Sequence, residues 1–249
     1  MRVVVNNIAA SNGGAWSILE DFYQDIKTYS DEIEWILLVD KKKTLVETNN
    51  IKIIECPEIK KSWIKRLMFD FVNGKKIVNS YNPDVYFSMQ NTATLGVKAR
   101  QVVYLHQSLP YQKERDFSFL KKQEQTLAVY QKIIGRIFNL LFKFSKCEII
   151  VQTNWMKDSL LEKVKNMVTV IPPKVKVINN NTPWNGSDKN YFFYPANGAE
   201  YKNHEVIFKA VDIVISQGYT NFQIILTINQ REVNNIRNYM FLGTISREA

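Results

Sequence analysis

The sequence predicts an α/β fold organised as two units, and three observations carry that expectation. Near each end, a short apolar run breaks into a polar loop that opens a helix-spaced pattern. The first such junction runs from Arg2–Ile8 through Ala9–Ala15 to a helix over about Trp16–Tyr29. The second runs from Tyr191–Tyr194 through Pro195 to a stripe of Val206, Ala210, Val211 and Val214. Between them, Asn179 to Asn190 is crowded with Asn, Thr, Pro, Gly, Ser and Asp, the composition of a linker. Charge divides at the same place: residues 188–249 hold six Lys/Arg and six Asp/Glu, so the whole net charge of +9 lies in residues 1–187. The expected units are therefore residues 1–187, with a hinge from about 174, and residues 188–249.

Taken in order, Arg2–Ile8 is a buried first strand, and Gly13-Gly14 stands just before the first helix, where a tight turn and a ligand loop are both open readings. Strands follow at Glu34–Val39 and Ile51–Cys56. Lys60 to Tyr81 is helix-spaced, with Ile64, Leu67, Met68 and Phe71 at i, i+3, i+4 and i+7. Within that helix Lys60, Lys61, Lys65, Arg66, Lys75 and Lys76 face a single acid, Asp70, and Trp63 stands among them. Two readings are open, a membrane-surface helix and a core-packed helix with a solvated basic face. Val85–Ser88 and Gln101–Leu105 are further strands, the second ending in His106, at an edge where open α/β sheets hold their ligands. A plain loop histidine is the alternative. Residues 120–144 predict a second long helix with Tyr130, Ile133, Ile134, Ile137, Leu141 and Phe144 inward, again basic: Lys121–Lys146 carries six cations and one acid. Cys147–Gln152 is a strand, Thr153 the N-cap of the helix after it, and Val168–Ile171 the last strand before the linker.

In the second unit, the loop after Tyr194 places loose backbone N–H groups and a helix N-terminus at a strand's carboxyl end, where phosphates bind. Lys202 closes that loop and adds a full charge; the alternative is a solvated loop lysine. Phe222–Ile228 is a further strand, and Asn229–Asn238 after it is polar.

Read together, these segments resemble the family 4 retaining glycosyltransferases of the GT-B fold, in a form associated with bacterial surface polysaccharides. The resemblance lies in Tyr-Pro-Ala followed by Lys202-Asn203-His204, the glycine-bearing first loop, the strand ending in His106, the Thr153-Asn154-Trp155-Met156-Lys157 run, and Gly243. It implies two Rossmann-like domains facing a cleft, the second incomplete at Ala249. It implies a nucleotide diphosphate sugar as donor, a glycan or polyprenyl-linked acceptor, transfer with retention, and no metal or cofactor. By the same resemblance Lys202 meets the diphosphate, Asn197 stands where the family carries an Arg, Gly13, Gly14 and Gly243 lie near the donor, and His106 faces the reacting sugar. A cytoplasmic enzyme, peripheral on the inner face of the cell membrane, is the implied setting. The alternative function is a truncated, non-catalytic module that binds nucleotide or membrane.

Other classes fit less well. A nicotinamide-dependent enzyme would carry G-x-G-x-x-G in the first loop, which has only a glycine pair. Nucleic-acid binding, which the charge alone would allow, lacks any recognisable module. His106, His204, Cys56 and Cys147 are isolated from one another, without metal-ligand spacing, and both cysteines are expected to stay reduced.

Overall fold

The structure, a computed structural model, describes residues 1–10, 13–29, 32–173, 189–243 and 245. The chain divides into two compact units, Met1–Val175 and Lys176–Ala249. The expected boundary at 187/188 and the hinge from 174 lie outside the described residues.

The first unit is built on a parallel sheet of seven strands: β1 (Arg2–Asn7), β2 (Glu34–Val39), β3 (Ile51–Glu55), β4 (Val85–Ser88), β5 (Arg100–Tyr104), β6 (Glu148–Val151) and β7 (Val168–Val170). Their order is β3-β2-β1-β4-β5-β6-β7. The short apolar runs suit strands covered on both faces, and Val4, Leu37, Leu38, Tyr86, Val103 and Ile149 are completely enclosed. One core cluster packs α1 (Gly13–Lys27) on β1 and β2 through Leu19, Tyr23 and Ile26. A second, around Val4, Ile36, Phe69 and Tyr86, lies under the helices that precede β4. The third gathers Val103, Tyr111, Leu141, Phe142 and Ile149.

Both long basic helices depart from the expected pattern. The first is α2 (Pro57–Lys60), then α3 (Trp63–Met68), a π-helical turn Phe69–Asn73, and α4 (Gly74–Ser80). The second begins only at α5 (Gln125–Val129), passes through a π-helical turn Tyr130–Ile134, and ends as α6 (Gly135–Ser145). A π turn inserts an extra residue, so the faces upstream and downstream no longer share a 3.6-residue period. Ile64 and Met68, expected inside, are 70% and 46% exposed, and Ile133 and Phe144 also lie outside, whereas Ile134 and Leu141 are buried as expected. Each π turn ends at a glycine that admits a close neighbour: a Cβ at Gly135 would stand 2.5 Å from Pro110 Cβ, and one at Gly74 2.5 Å from the Phe69 carbonyl oxygen. Thr153 does occupy the N-cap of α7 (Asn154–Leu161), yet its hydroxyl makes no capping bond.

The second unit contains β8 (Asn190–Tyr194), α8 (His204–Ser216), β9 (Phe222–Leu226) and β10 (Tyr239–Phe241), with its parallel strands in the order β10-β9-β8. Val211, Phe222, Ile224, Leu226, Ile228 and Tyr239 form its core. The inward face of α8 is His204, Ile207, Phe208, Val211 and Val214; Val206 and Ala210, expected there, point outward. A helix starting at His204 places 204, 207, 208 and 211 on one side, one step away from the expected stripe. No helix among the described residues is long and apolar enough to cross a membrane.

Candidate functional site

In the first unit, strand order reverses at β1, whose neighbours are β2 on one side and β4 on the other. Loops leaving such a switch point diverge, so a crevice opens at the carboxyl ends of the two strands. Register aligns Asn6 with Ser88, and Ser88 with Val103. Asn7, Ser88 and the residues after Tyr104 thus share one edge of the sheet. Polar groups are buried there in an apolar framework. Asn7 Nδ2, Ser88 Oγ and His106 Nδ1 are all enclosed without a hydrogen-bond partner. Buried polar atoms are normally paired, and leaving one unpaired costs about 1–3 kcal/mol. Three such atoms lie along this one edge of the first sheet.

His106 follows β5, half-buried, with its ring 5.6 Å from that of Tyr104. Tyr104 is held in turn by the Gln152 amide. Burial holds the His106 imidazole below its ordinary pKa, so the neutral ring is favoured. Gly13, with φ +63°, and Gly14 form the first turn of α1 rather than a loop before it. A Cβ would meet nothing within 4 Å at either position. At Gly13 the backbone itself demands glycine.

Next to this edge runs a chain of hydroxyl groups. Asn6 Nδ2 donates to Tyr86 Oη (2.6 Å), and Tyr86 Oη lies 2.8 Å from Thr94 Oγ1, which donates to Asp70 Oδ1 (3.3 Å). Asp70 is buried, and burial pushes its carboxyl up to about 7, against the pull of the Thr92 and Thr94 hydroxyls and of Arg66. Thr92 Oγ1 lies near the carboxylate without reaching hydrogen-bond geometry.

In the second unit the corresponding edge lies beyond β8. Tyr194 Oη donates to the Lys202 carbonyl (2.8 Å), and its ring meets that of the buried His204 at 5.3 Å, so the strand end grips the start of α8. Asn197 Oδ1 accepts from Ala199 N–H (3.2 Å), a local turn bond that shapes the loop. Lys202 is half-buried with its ammonium 5.2 Å from the Tyr201 ring centroid. Gly243, φ +67°, hangs from the Ile228 carbonyl by its N–H (3.1 Å), which brings the loops after β9 and β10 together. One residue was not legible in the sequence. Arg231, after β9, has its guanidinium 3.7 Å from where a Gly198 Cβ would stand, and it pairs with Glu205 in the first turn of α8 at 3.5 Å. It brings a cation to the side of the loop that holds Asn197 and Gly198. No local spacing links position 231 to position 198; only the parallel pairing of β8 with β9 does.

No family model matches the chain, and no curated protein matches it. Similar solved structures exist. The apo form of the lipopolysaccharide outer core galactosyltransferase WaaB superposes with a TM-score of 0.59 at 13% identity, covering 100% of this chain and 69% of its own. A glycosyltransferase from Rickettsia africae ESF-5 gives 0.59 at 14% identity, over 98% and 68%. A UGT transferase from Siraitia grosvenorii in complex with UDP gives 0.52 at 10% identity, over 96% and 67%. At such identities the likeness is one of fold. The chain is an α/β protein with the GT-B type of architecture, each unit a parallel, Rossmann-like sheet with helices.

Proposed function

We propose that the protein is a glycosyltransferase that moves a sugar from a nucleotide diphosphate sugar to a glycan or polyprenyl-linked hydroxyl acceptor, with retention. The observation that carries the reading is the edge beyond β8 in a unit of this fold, where a glycine-bearing loop bearing Lys202 opens α8 and Arg231, from the loop after β9, stands beside Gly198. The solved neighbours include glycosyltransferases and a UDP complex, which supports the same reading.

In the reaction, the bond from the anomeric carbon to the diphosphate oxygen breaks, a bond to the acceptor oxygen forms, and the acceptor's hydroxyl proton passes to the departing diphosphate. Negative charge grows on the departing diphosphate. Lys202 and Arg231 offset it, together with N–H groups at the start of α8. Side-chain cations thus carry the leaving charge, and the proposal calls on no metal or cofactor. Gly243 lets backbone run close to the donor, and Asn197 shapes the loop. Gly13 and Gly14, in the first turn of α1, are assigned to the donor side. His106 is assigned to the transferred sugar.

The setting proposed is the inner face of the cell membrane. The two basic helices meet at the Trp63 and Tyr130 rings, 5.9 Å apart, and they expose Ile64, Met68, Val72, Ile133, Leu140 and Phe144. Some of the charge is compensated locally: Lys60 pairs with Asp40, Lys61 and Lys65 with Glu58, and Lys132 with Asp116. Exposed apolar side chains beside the remaining cations suit an anionic lipid surface better than charge alone.

Incubation with UDP-, GDP- and dTDP-sugars and polyprenyl-phosphate-linked acceptors, following nucleoside diphosphate release and the anomeric configuration of the product, tests the reading. A glycosylated product with the donor's configuration is expected. Binding without turnover would support the non-catalytic alternative, and an inverted product would overturn retention.

A further inference from the structure

His106 has two ring nitrogens, and its chemical role depends on which one carries the proton. The structure answers this through Asn91, a residue in the left-handed backbone region (φ +66°) in the loop after β4. Asn91 Oδ1 accepts from the backbone N–H of His106 (2.8 Å) and from that of Gln107 (2.9 Å). Backbone N–H groups only donate, so the side-chain oxygen must be the atom facing them, and the amide cannot be flipped. Its NH2 group is thereby directed at His106 Nε2, 3.3 Å away. An amide NH2 only donates, so Nε2 must accept with its lone pair. The proton of the neutral imidazole then resides on Nδ1, the enclosed atom that has no partner.

We infer that Asn91 is a positioning residue that locks His106 in the Nδ1–H tautomer, with Nδ1 protonated and enclosed and the Nε2 lone pair engaged by the Asn91 amide, so that neither ring nitrogen is free to act as a base. The same amide pins the His106 and Gln107 backbone, so ring position and proton position are set together. The inference concerns the state of the His106 ring and stands apart from the proposed function.

The test is the ring nitrogen spectrum of the chain labelled with ¹⁵N-histidine, taken at about pH 8, where an ordinary imidazole is neutral. The chain holds only two histidines, His106 and His204, and a His106→Gln variant identifies which signals belong to position 106. The Nδ1–H pattern is expected for His106. Asn91→Asp is the decisive variant. One carboxylate oxygen still accepts the two backbone N–H groups, while the other faces Nε2 and can only accept, so the ring must switch to Nε2–H. Asn91→Ala, which loses both bonds, should give a mixture of the two tautomers. An Nε2–H pattern in the unmodified chain, or an unchanged pattern in Asn91→Asp, would overturn the inference. These spectra do not depend on turnover, so absence of transfer activity would count against the proposed function and leave the tautomer result standing.

Discussion

Asp70→Asn should stabilise the protein at neutral pH, by an amount that the structure bounds. Asp70 is 3% exposed, and burial raises its carboxyl from 3.8 to about 7. Below pH 3.8 the side chain is protonated in both folded and unfolded chains, and it adds no pH-dependent term. Between 3.8 and about 7 the unfolded chain ionises while the folded one holds its proton, so the folded state binds more protons and stability falls as pH rises. Above about 7 both are ionised, and the loss is constant. At 1.36 kcal/mol per pH unit that window amounts to about 4 kcal/mol. Asparagine is neutral at every pH, and its oxygen still accepts from Thr94 Oγ1, the donor at 3.3 Å. Urea melts of both proteins across this range should therefore nearly coincide near pH 4. They should then diverge, Asp70→Asn becoming more stable by up to about 4 kcal/mol at neutral pH, with the urea slope unchanged. Parallel stability curves for the two proteins would refute the reasoning, as would a variant that is less stable throughout.

Gly135→Ala should destabilise the first unit by about 1–3 kcal/mol, because the new methyl meets Pro110 Cβ at 2.5 Å with no flexible chain end to yield. Gly14→Ala, helical and with open space around it, should leave the melting temperature equal or slightly higher; equal losses for the two variants would contradict the packing account. Vesicle sedimentation should bring the chain down with anionic but not zwitterionic lipid, and less in high salt. Replacing Ile64, Met68 and Val72 together with Ser should weaken this several-fold. Binding indifferent to lipid charge or to those three side chains would end the membrane proposal.

The sheet was legible because its strands are short apolar runs that stop at polar loops: Glu34–Val39 and Val85–Ser88 stand where the sequence places them. The Lys202 loop also falls after a strand end, whereas Gly13 and Gly14, expected in a loop, stand in the first turn of α1. Helix faces were less legible. Ile64 and Met68 keep the spacing of an inward stripe with Leu67 and Phe71, but the π turn at Phe69–Asn73 breaks that continuity, and a 3.6-residue reading cannot register an added residue. Arg231 and Asn91 were invisible for a different reason. Each acts across a turn or a strand pairing, Arg231 toward Gly198 and Asn91 toward His106, and no pattern of neighbours marks an amide or guanidinium for a distant partner.

The central claim is that the edge beyond β8 binds the diphosphate of a nucleotide sugar. Calorimetric titration with UDP, GDP and dTDP, each beside its free nucleoside, tests it most directly, on the unmodified chain and on Lys202→Ala and Arg231→Ala. One diphosphate should bind at least tenfold tighter than its nucleoside, and each variant should lose most of that margin while nucleoside binding changes little. Failure of all three diphosphates to bind, or equal losses for diphosphate and nucleoside in both variants, would contradict the account.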